Sequence, residues 1–224
     1  MAGVRVFARF REVEREREGG LVTEFPDERT VEATFVRRPE QNFSFTFDRV
    51  FPPRVSAAEI HNQCAEPAAQ HLAAGQHAII YAYGHGGSGK TATIFGQRDG
   101  KEKGLLLSVL DSLFAQGLGP FAVTAVDIYK ETLRDLLAPK SSSAPSLKLR
   151  DSAAGSSVEG AMELVIAEPS ELAGRIPALQ SQADIPKSKR VHDKSTAELT
   201  LRLSARRADT ALSRCARTQG PSSS

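Results

Sequence analysis

The 224-residue chain has no tryptophan, three tyrosines, two methionines and two cysteines. Cys64 and Cys215 stand at opposite ends of the sequence, a spacing that gives no disulfide framework, so a reducing compartment is expected. Neither sign of charge dominates. The 29 Lys and Arg against 27 Asp and Glu leave +2, which argues against a general polyanion binder, so no nucleic-acid partner is expected. Long hydrophobic runs are also missing. No apolar stretch of the kind a secretory signal needs follows the charged start Val4-Arg5-Val6-Phe7-Ala8-Arg9. The nearest approach to a membrane span, Gly104 to Val126, carries Asp111 and a Gly-Leu-Gly-Pro break at 117–120. An aspartate there costs about 3 kcal/mol on insertion, so the stretch reads as a buried helix followed by a strand, with no membrane partner.

What is present, 40% hydrophobic and 25% charged residues, is the composition of one soluble globular domain. Charge is unevenly spread: Lys187 to Arg217 holds nine basic residues against three acidic ones. Such a segment either faces an acidic partner or is a solvated tail. Residues 1–204 are expected to fold, and 205–224, ending in Gly-Pro-Ser-Ser-Ser, to be a disordered basic and serine-rich tail.

Val4, Val6, Ala8 and Phe10 alternate with Arg5, Phe7, Arg9 and Arg11, the period of a strand with one buried face, which brings out Arg9 and Arg11 side by side. Phe43, Phe45 and Phe47 alternate similarly with Ser44, Thr46 and Asp48 in a second strand that stops at Pro52-Pro53. Ser56-Ala57-Ala58-Glu59 is a capping box. The helix it opens repeats Ile60, Cys64, Ala68 and Leu72, is expected to kink at Pro67, and ends at Gly75. Ala78-Ile79-Ile80-Tyr81-Ala82-Tyr83 is apolar on both faces, as in a buried strand of a parallel sheet. Leu106, Val109, Leu110, Leu113 and Phe114 mark the stripe of a helix closed by Gly117. Strands follow at Phe121 to Val126, Leu147 to Arg150 and Leu199 to Leu203, with a helix opening at Pro169 and running toward residue 180. Strands alternating with helices indicate an α/β sandwich.

Gly84-His85-Gly86-Gly87-Ser88-Gly89-Lys90-Thr91 places two glycines ahead of Lys and Thr at phosphate-loop spacing. Glycines let successive backbone N–H groups curl round a β-phosphate, Lys90 reaches the β- and γ-phosphates, and the Thr91 hydroxyl ligates Mg²⁺. A strand-like run before the loop and helical sequence after it supply the required context.

These residues resemble the kinesin motor domain family, whose Ala-Tyr-Gly-Gln-Thr-Gly-Ser-Gly-Lys-Thr stretch is matched by Ala82 through Thr91. Val4 to Arg11 is similar to its first strand, ending in Arg-x-Arg-Pro, and Phe45 to Phe51 to its Phe-x-Phe-Asp-x-Val-Phe. Asp127-Ile128-Tyr129-Lys130-Glu131 with Asp135-Leu136-Leu137 resembles its Glu-Ile-Tyr-Asn-Glu and Asp-Leu-Leu. The resemblance implies a P-loop NTPase-type α/β three-layer sandwich with a central, mostly parallel sheet. It also implies ATP or ADP with Mg²⁺ as ligands, Arg9 and Arg11 beside the purine, microtubules (tubulin) as a weak partner, and a place in the cytoplasm and cytoskeleton.

The departures bear on activity. Where the family sandwiches adenine between that Pro and an aromatic or His, this chain has Glu12 and Ala92, and losing such stacking costs about 1–3 kcal/mol. The first switch, Asn-x-x-Ser-Ser-Arg-Ser-His in the family, falls on Arg190-Val191-His192-Asp193-Lys194-Ser195-Thr196-Ala197, and the second, Asp-x-x-Gly-x-Glu, has no match, Asp209 to Ser213 keeping only an Asp. Phosphoryl transfer depends on positioned charge at the γ-phosphate, so kinesin-type ATP hydrolysis is expected to be impaired or absent and no catalytic residue is assigned. Two other readings remain: a P-loop ATPase of another kind, with Asp127 as the Mg²⁺-holding acid of a Walker B strand, and a non-catalytic scaffold that uses the same fold.

Overall fold

The structure is a computed structural model that describes residues 3–11, 20–85, 87–97, 100–129, 132–139, 147–152, 155–183 and 198–205. The chain divides into two compact units, Met1–Val109 and Leu110–Ser224.

In the first unit, β1 (Phe7–Arg9) pairs in parallel with β5 (Arg49–Phe51), and β2 (Leu21–Glu24), β3 (Thr30–Phe35) and β4 (Arg38–Thr46) form an antiparallel meander. Asp27 shapes the turn between β2 and β3 by accepting the N–H groups of Arg29 and Thr30 at 2.7 and 2.9 Å. Those donors favour the carboxylate and hold Asp27 below the ordinary range. Val31 and Ala33 are the buried residues of the meander, while Phe43 and Phe45, on the same face, stay about half exposed. The N-terminal alternation breaks down, because the ladder with β5 begins only at Phe7 and leaves Val4 and Val6 exposed.

Ser56 caps α1 (Ala57–Ile60), its Oγ accepting the Glu59 N–H at 3.1 Å. Glu59 does not complete the box. Its carboxylate instead accepts Arg49 Nη2 at 2.7 Å, and Glu28 holds the other Arg49 nitrogen, Nη1. A π-helical turn, His61–Ala65, then leads into α2 (Glu66–Ala73). Pro67 lacks an N–H, and the wide turn before it accommodates the ring without breaking the rod. The extra residue moves the core stripe, so the buried positions are Ile60, Ala65 and Ala69 instead of the expected Ile60, Cys64, Ala68 and Leu72. Gly75, at φ +74°, closes α2: its N–H reaches Leu72 O at 3.0 Å and the Gln76 N–H reaches His71 O at 2.9 Å. This is the paired C-terminal cap that favours glycine.

Residues 78–83 are not the buried strand their composition suggests. They form no regular element, and Ile79, Tyr81 and Tyr83 are exposed. No strand among the described residues lies alongside them to supply a ladder. After them come α3 (Lys90–Phe95) and α4 (Leu105–Ala115), the latter continuing into the second unit. The loop between them is pinched where Gly96 and Lys103 form an isolated bridge.

In the second unit, β6 (Phe121–Tyr129) is buried along Phe121 to Val123 and Ala125 to Asp127, as its sequence predicts. It pairs antiparallel with β7 (Thr132–Asp135), β10 (Leu164–Ile166) and β11 (Glu198–Ala205), while β8 (Lys148–Ser152) and β9 (Gly155–Glu159) make a separate hairpin. The helix expected from Pro169 is two short ones, α5 (Pro169–Ala173) and α6 (Ile176–Ala183). Gly117, at φ +74°, closes α4 with the same bond pair seen at Gly75: Gly117 N–H to Phe114 O at 2.9 Å and Leu118 N–H to Leu113 O at 3.1 Å. Both units therefore mix helix and strand. Parallel pairing among the described residues is confined to β1 and β5.

Candidate nucleotide-binding site

The glycines of the 84–91 loop do what their positions require. Gly84, Gly87 and Gly89 have φ of +151°, +81° and +102°, the last serving as N-cap of α3. A Cβ on Gly84 would stand 2.7 Å from Ser88 Oγ, whereas Gly87 and Gly89 border open space. All three positions need glycine for their backbone angle, and at Gly84 a side chain would also crowd Ser88. Gly86 lies outside the described residues.

Lys90, the first residue of α3, folds back over the loop. Its Nζ donates to Gly84 O at 2.6 Å and to His85 O at 2.9 Å. No carboxylate among the described residues pairs with it. An ammonium resting on two neutral carbonyls keeps its charge uncompensated, and that is the donor set a polyphosphate requires. Thr91 beside it is exposed, which leaves its hydroxyl open to a Mg²⁺ ion. The loop residues therefore fit a Mg-nucleotide's phosphates, and among the described residues no cluster of His, Cys, Asp and Glu offers an alternative metal site.

Strand β1 reaches the same place. Arg9 Nη1 donates to Thr93 Oγ1 at 2.7 Å, and that hydroxyl donates to Gly89 O at 3.0 Å. A small pocket beside this contact is lined by Arg9, Ala57, His61, Ala92 and Thr93 among others. Arg11 is exposed beyond the end of β1 and is not among the lining residues. Thr93 belongs to no sequence motif, although a threonine four residues after a carbonyl is placed to bond back to it. Glu12 and both candidate switch regions, 190–197 and 209–213, lie outside the described residues.

Asp127 behaves as a structural residue. It is 1% exposed, sits opposite Arg134 in the β6–β7 ladder, and is ion-paired with that guanidinium. A buried carboxylate with a fixed cationic partner is satisfied without a metal. Asp135 explains the Asp-Leu-Leu segment. One of its oxygens accepts Leu137 N–H at 2.8 Å and the other Met162 N–H at 2.6 Å, which pins the end of β7 to the approach to β10, while Leu136 is buried.

Comparison with known proteins gives the family. The kinesin motor domain model matches residues 5–213. The kinesin heavy chain of Neurospora crassa is 30% identical over 183 residues, 75% of this chain and 19% of that protein. The kinesin-like protein KIFC1 of Mus musculus is 35% identical over 149 residues, 61% of this chain and 22% of that protein. The chain thus spans about a fifth of the length of these relatives. A solved structure described as a fast kinesin superposes with a TM-score of 0.73 at 24% identity, covering 88% of this chain and 58% of that one, and establishes the P-loop NTPase fold. With an ordered set of sequence matches, a phosphate loop built as the fold requires and a family match over nearly its whole length, the chain belongs to the kinesin motor domain family.

Proposed function

We propose that residues 1–204 are a kinesin-type Mg-nucleotide-binding domain that holds ATP or ADP at Gly84–Thr91, associates weakly with microtubules at the cytoskeleton, and turns ATP over slowly or not at all. The observation that carries this reading is Lys90, whose ammonium sits over the glycine loop on two backbone carbonyls, 2.6 and 2.9 Å away. Phosphate oxygens are stronger acceptors than those carbonyls and draw the ammonium off them. Thr91 would hold Mg²⁺, which neutralises charge between the β- and γ-phosphates. Arg9 lies beside Ala92 and Thr93 at the edge of the loop's helix, the side on which the resemblance puts the purine. The phosphates supply most of the affinity, since Ala92 offers no ring for the base to stack on. The weak turnover follows from Asp193, Lys194, Ser195 and Ala197, which replace the groups that position water and charge in the family's first switch.

Titration calorimetry with Mg-ADP and Mg-ATP on the wild type and Lys90→Ala tests the site. Binding by the wild type that Lys90→Ala abolishes is expected, and equal binding by both proteins, or none by either, overturns the reading. Phosphate release measured on the same samples with microtubules is expected to stay near background. Strong microtubule stimulation would show that the switch substitutions are tolerated.

A further inference from the structure

Strand β4 is an edge of the meander. Among the described residues it pairs with β3 on one side only, and its outward N–H and C=O groups make no hydrogen bond with any described residue. The regular part of the strand is short. Its ladder runs from Thr46 opposite Thr30 to Asn42 opposite Thr34, then skips Gln41, Glu40 and Pro39 in a bulge before Arg38 meets Phe35. Every residue from Asn42 to Thr46 is exposed. Phe43 and Phe45 share one face, 46% and 51% exposed, in a row of rings: Phe35 meets Phe43 edge-on with centroids 6.2 Å apart, and Phe43 stacks on Phe45 at 6.5 Å. Asn42, Ser44 and Thr46 take the other face. An exposed, uncharged edge of this kind is a template for pairing with another chain.

We propose that Asn42–Thr46 pairs antiparallel with the same segment of a second copy of the chain, about a two-fold axis at Ser44. The segment selects a second copy because it complements itself. An axis on a residue keeps the phenylalanines of both copies on one face, whereas an axis between two residues sets phenylalanine against serine or threonine. Ser44 is the midpoint of the regular stretch. With the axis there, Phe43 of each copy faces Phe45 of the other, Asn42 faces Thr46, and Ser44 faces Ser44. The row of rings continues across the axis on one face, hydroxyls and amides meet on the other, and no charge opposes a like charge. Pairing ends where the stretch ends. Arg38, Pro39 and Glu40 on one flank and Asp48 on the other bring charge or a missing donor. The contact is isologous, so it consumes both β4 edges and closes at two copies. Five residues a side make an interface below the standard size, so the dimer is concentration-dependent. It uses no residue of the phosphate loop and stands apart from nucleotide binding.

The test is sedimentation velocity of the full 224-residue chain over a concentration series reaching the high micromolar range. The average mass is expected to rise from one chain toward two and no further. Ser44→Lys sets two ammonium groups against each other at the axis and is expected to keep the chain monomeric, while its melting in dilute solution is unchanged because Ser44 is exposed. Ser44→Glu is expected to do the same. An equimolar mixture of the two variants is expected to dimerise again, since the symmetric register then sets each ammonium against a carboxylate. Hydrogen exchange on the wild type needs no variant: amides within 42–46 are expected to slow as concentration rises. A wild type that stays monomeric, a dimer that tolerates Ser44→Lys or Ser44→Glu, or a mixture that stays monomeric overturns the proposal. Growth beyond two copies, or exchange at 42–46 that ignores concentration, also overturns it.

Discussion

Arg9 and Thr93, 84 positions apart, meet through a 2.7 Å hydrogen bond, and the same threonine hydroxyl donates to Gly89 O at 3.0 Å. One hydroxyl therefore ties strand β1 to the last glycine of the phosphate loop and holds that carbonyl in place.

Thr93→Val keeps the branched shape and removes the link. A lost hydrogen bond of this kind is worth about 1 kcal/mol, so Mg-ADP affinity is expected to fall roughly fivefold while Lys90 still binds phosphate. Calorimetry on the variant checks this, and an unchanged affinity would show that the loop keeps its shape without the threonine.

Gly104 leaves no room for a methyl group. A Cβ there would lie 2.2 Å from Gly96 N, 2.3 Å from Phe95 C and 2.4 Å from Ile94 O, all backbone atoms that cannot swing aside. Gly104→Ala is expected to cost about 3 kcal/mol, at the upper end of overpacking effects. Gly117→Ala meets open space and only the positive φ, so about 1–2 kcal/mol is expected. Urea titration of both variants decides the order, and the reverse order would disprove the close approach.

Cys64 gives a pH dependence with a definite sign. Burial pushes its thiol up to about 11, against the smaller opposing pull of the Arg5 and Arg9 charges. The folded chain therefore favours the neutral thiol more than the unfolded chain does. The stability this contributes is complete below the unfolded value, near 9.0, and is lost as pH rises toward about 11. Melting curves in that interval should fall more steeply for the wild type than for Cys64→Ala. A thiol reagent at pH 8 should label the folded chain more slowly than the unfolded one.

Microtubule binding is expected to be weak and salt-sensitive. Lys148 and Arg150 stand exposed on β8, but Arg150 already pairs with Glu159 at 2.8 Å, and exposed charges are screened beyond about 8 Å at physiological ionic strength. Co-sedimentation should fall steeply with added salt and show no difference between ATP and ADP. Retention at high salt would require an apolar interface.

Features carried by adjacent residues were legible in the sequence. The phosphate loop, the Ser56 cap, the Gly75 and Gly117 stops and the apolar β6 all follow from local chemistry, and each is present. Features set by a distant partner were not. The core stripe of α1 and α2 shifted because a π turn, which leaves no periodic signature, took in one extra residue before Pro67. Strands β2 and β3 leave little periodic signal, since β2 is largely exposed and only Val31 and Ala33 of β3 are buried. The composition of the 78–83 run asks for cover, and the sequence alone does not locate that cover. The role of Thr93 depends on an arginine 84 residues away and leaves no local signature.

The pinch between Gly96 and Gly104 separates loop length from helix placement. With Gln97 N–H on Glu102 O at 3.0 Å and the bridge at Lys103 closing the neck, whatever chain lies between Gln97 and Glu102 begins and ends at the same point, whatever its size. Each doubling of a closed loop costs only about 0.6 kcal/mol in entropy, so extra residues there lengthen the loop while α3 and α4 keep their separation. A fluorescent tag or a protease site can therefore be spliced into that position to report on the neighbouring phosphate loop while leaving its framework intact.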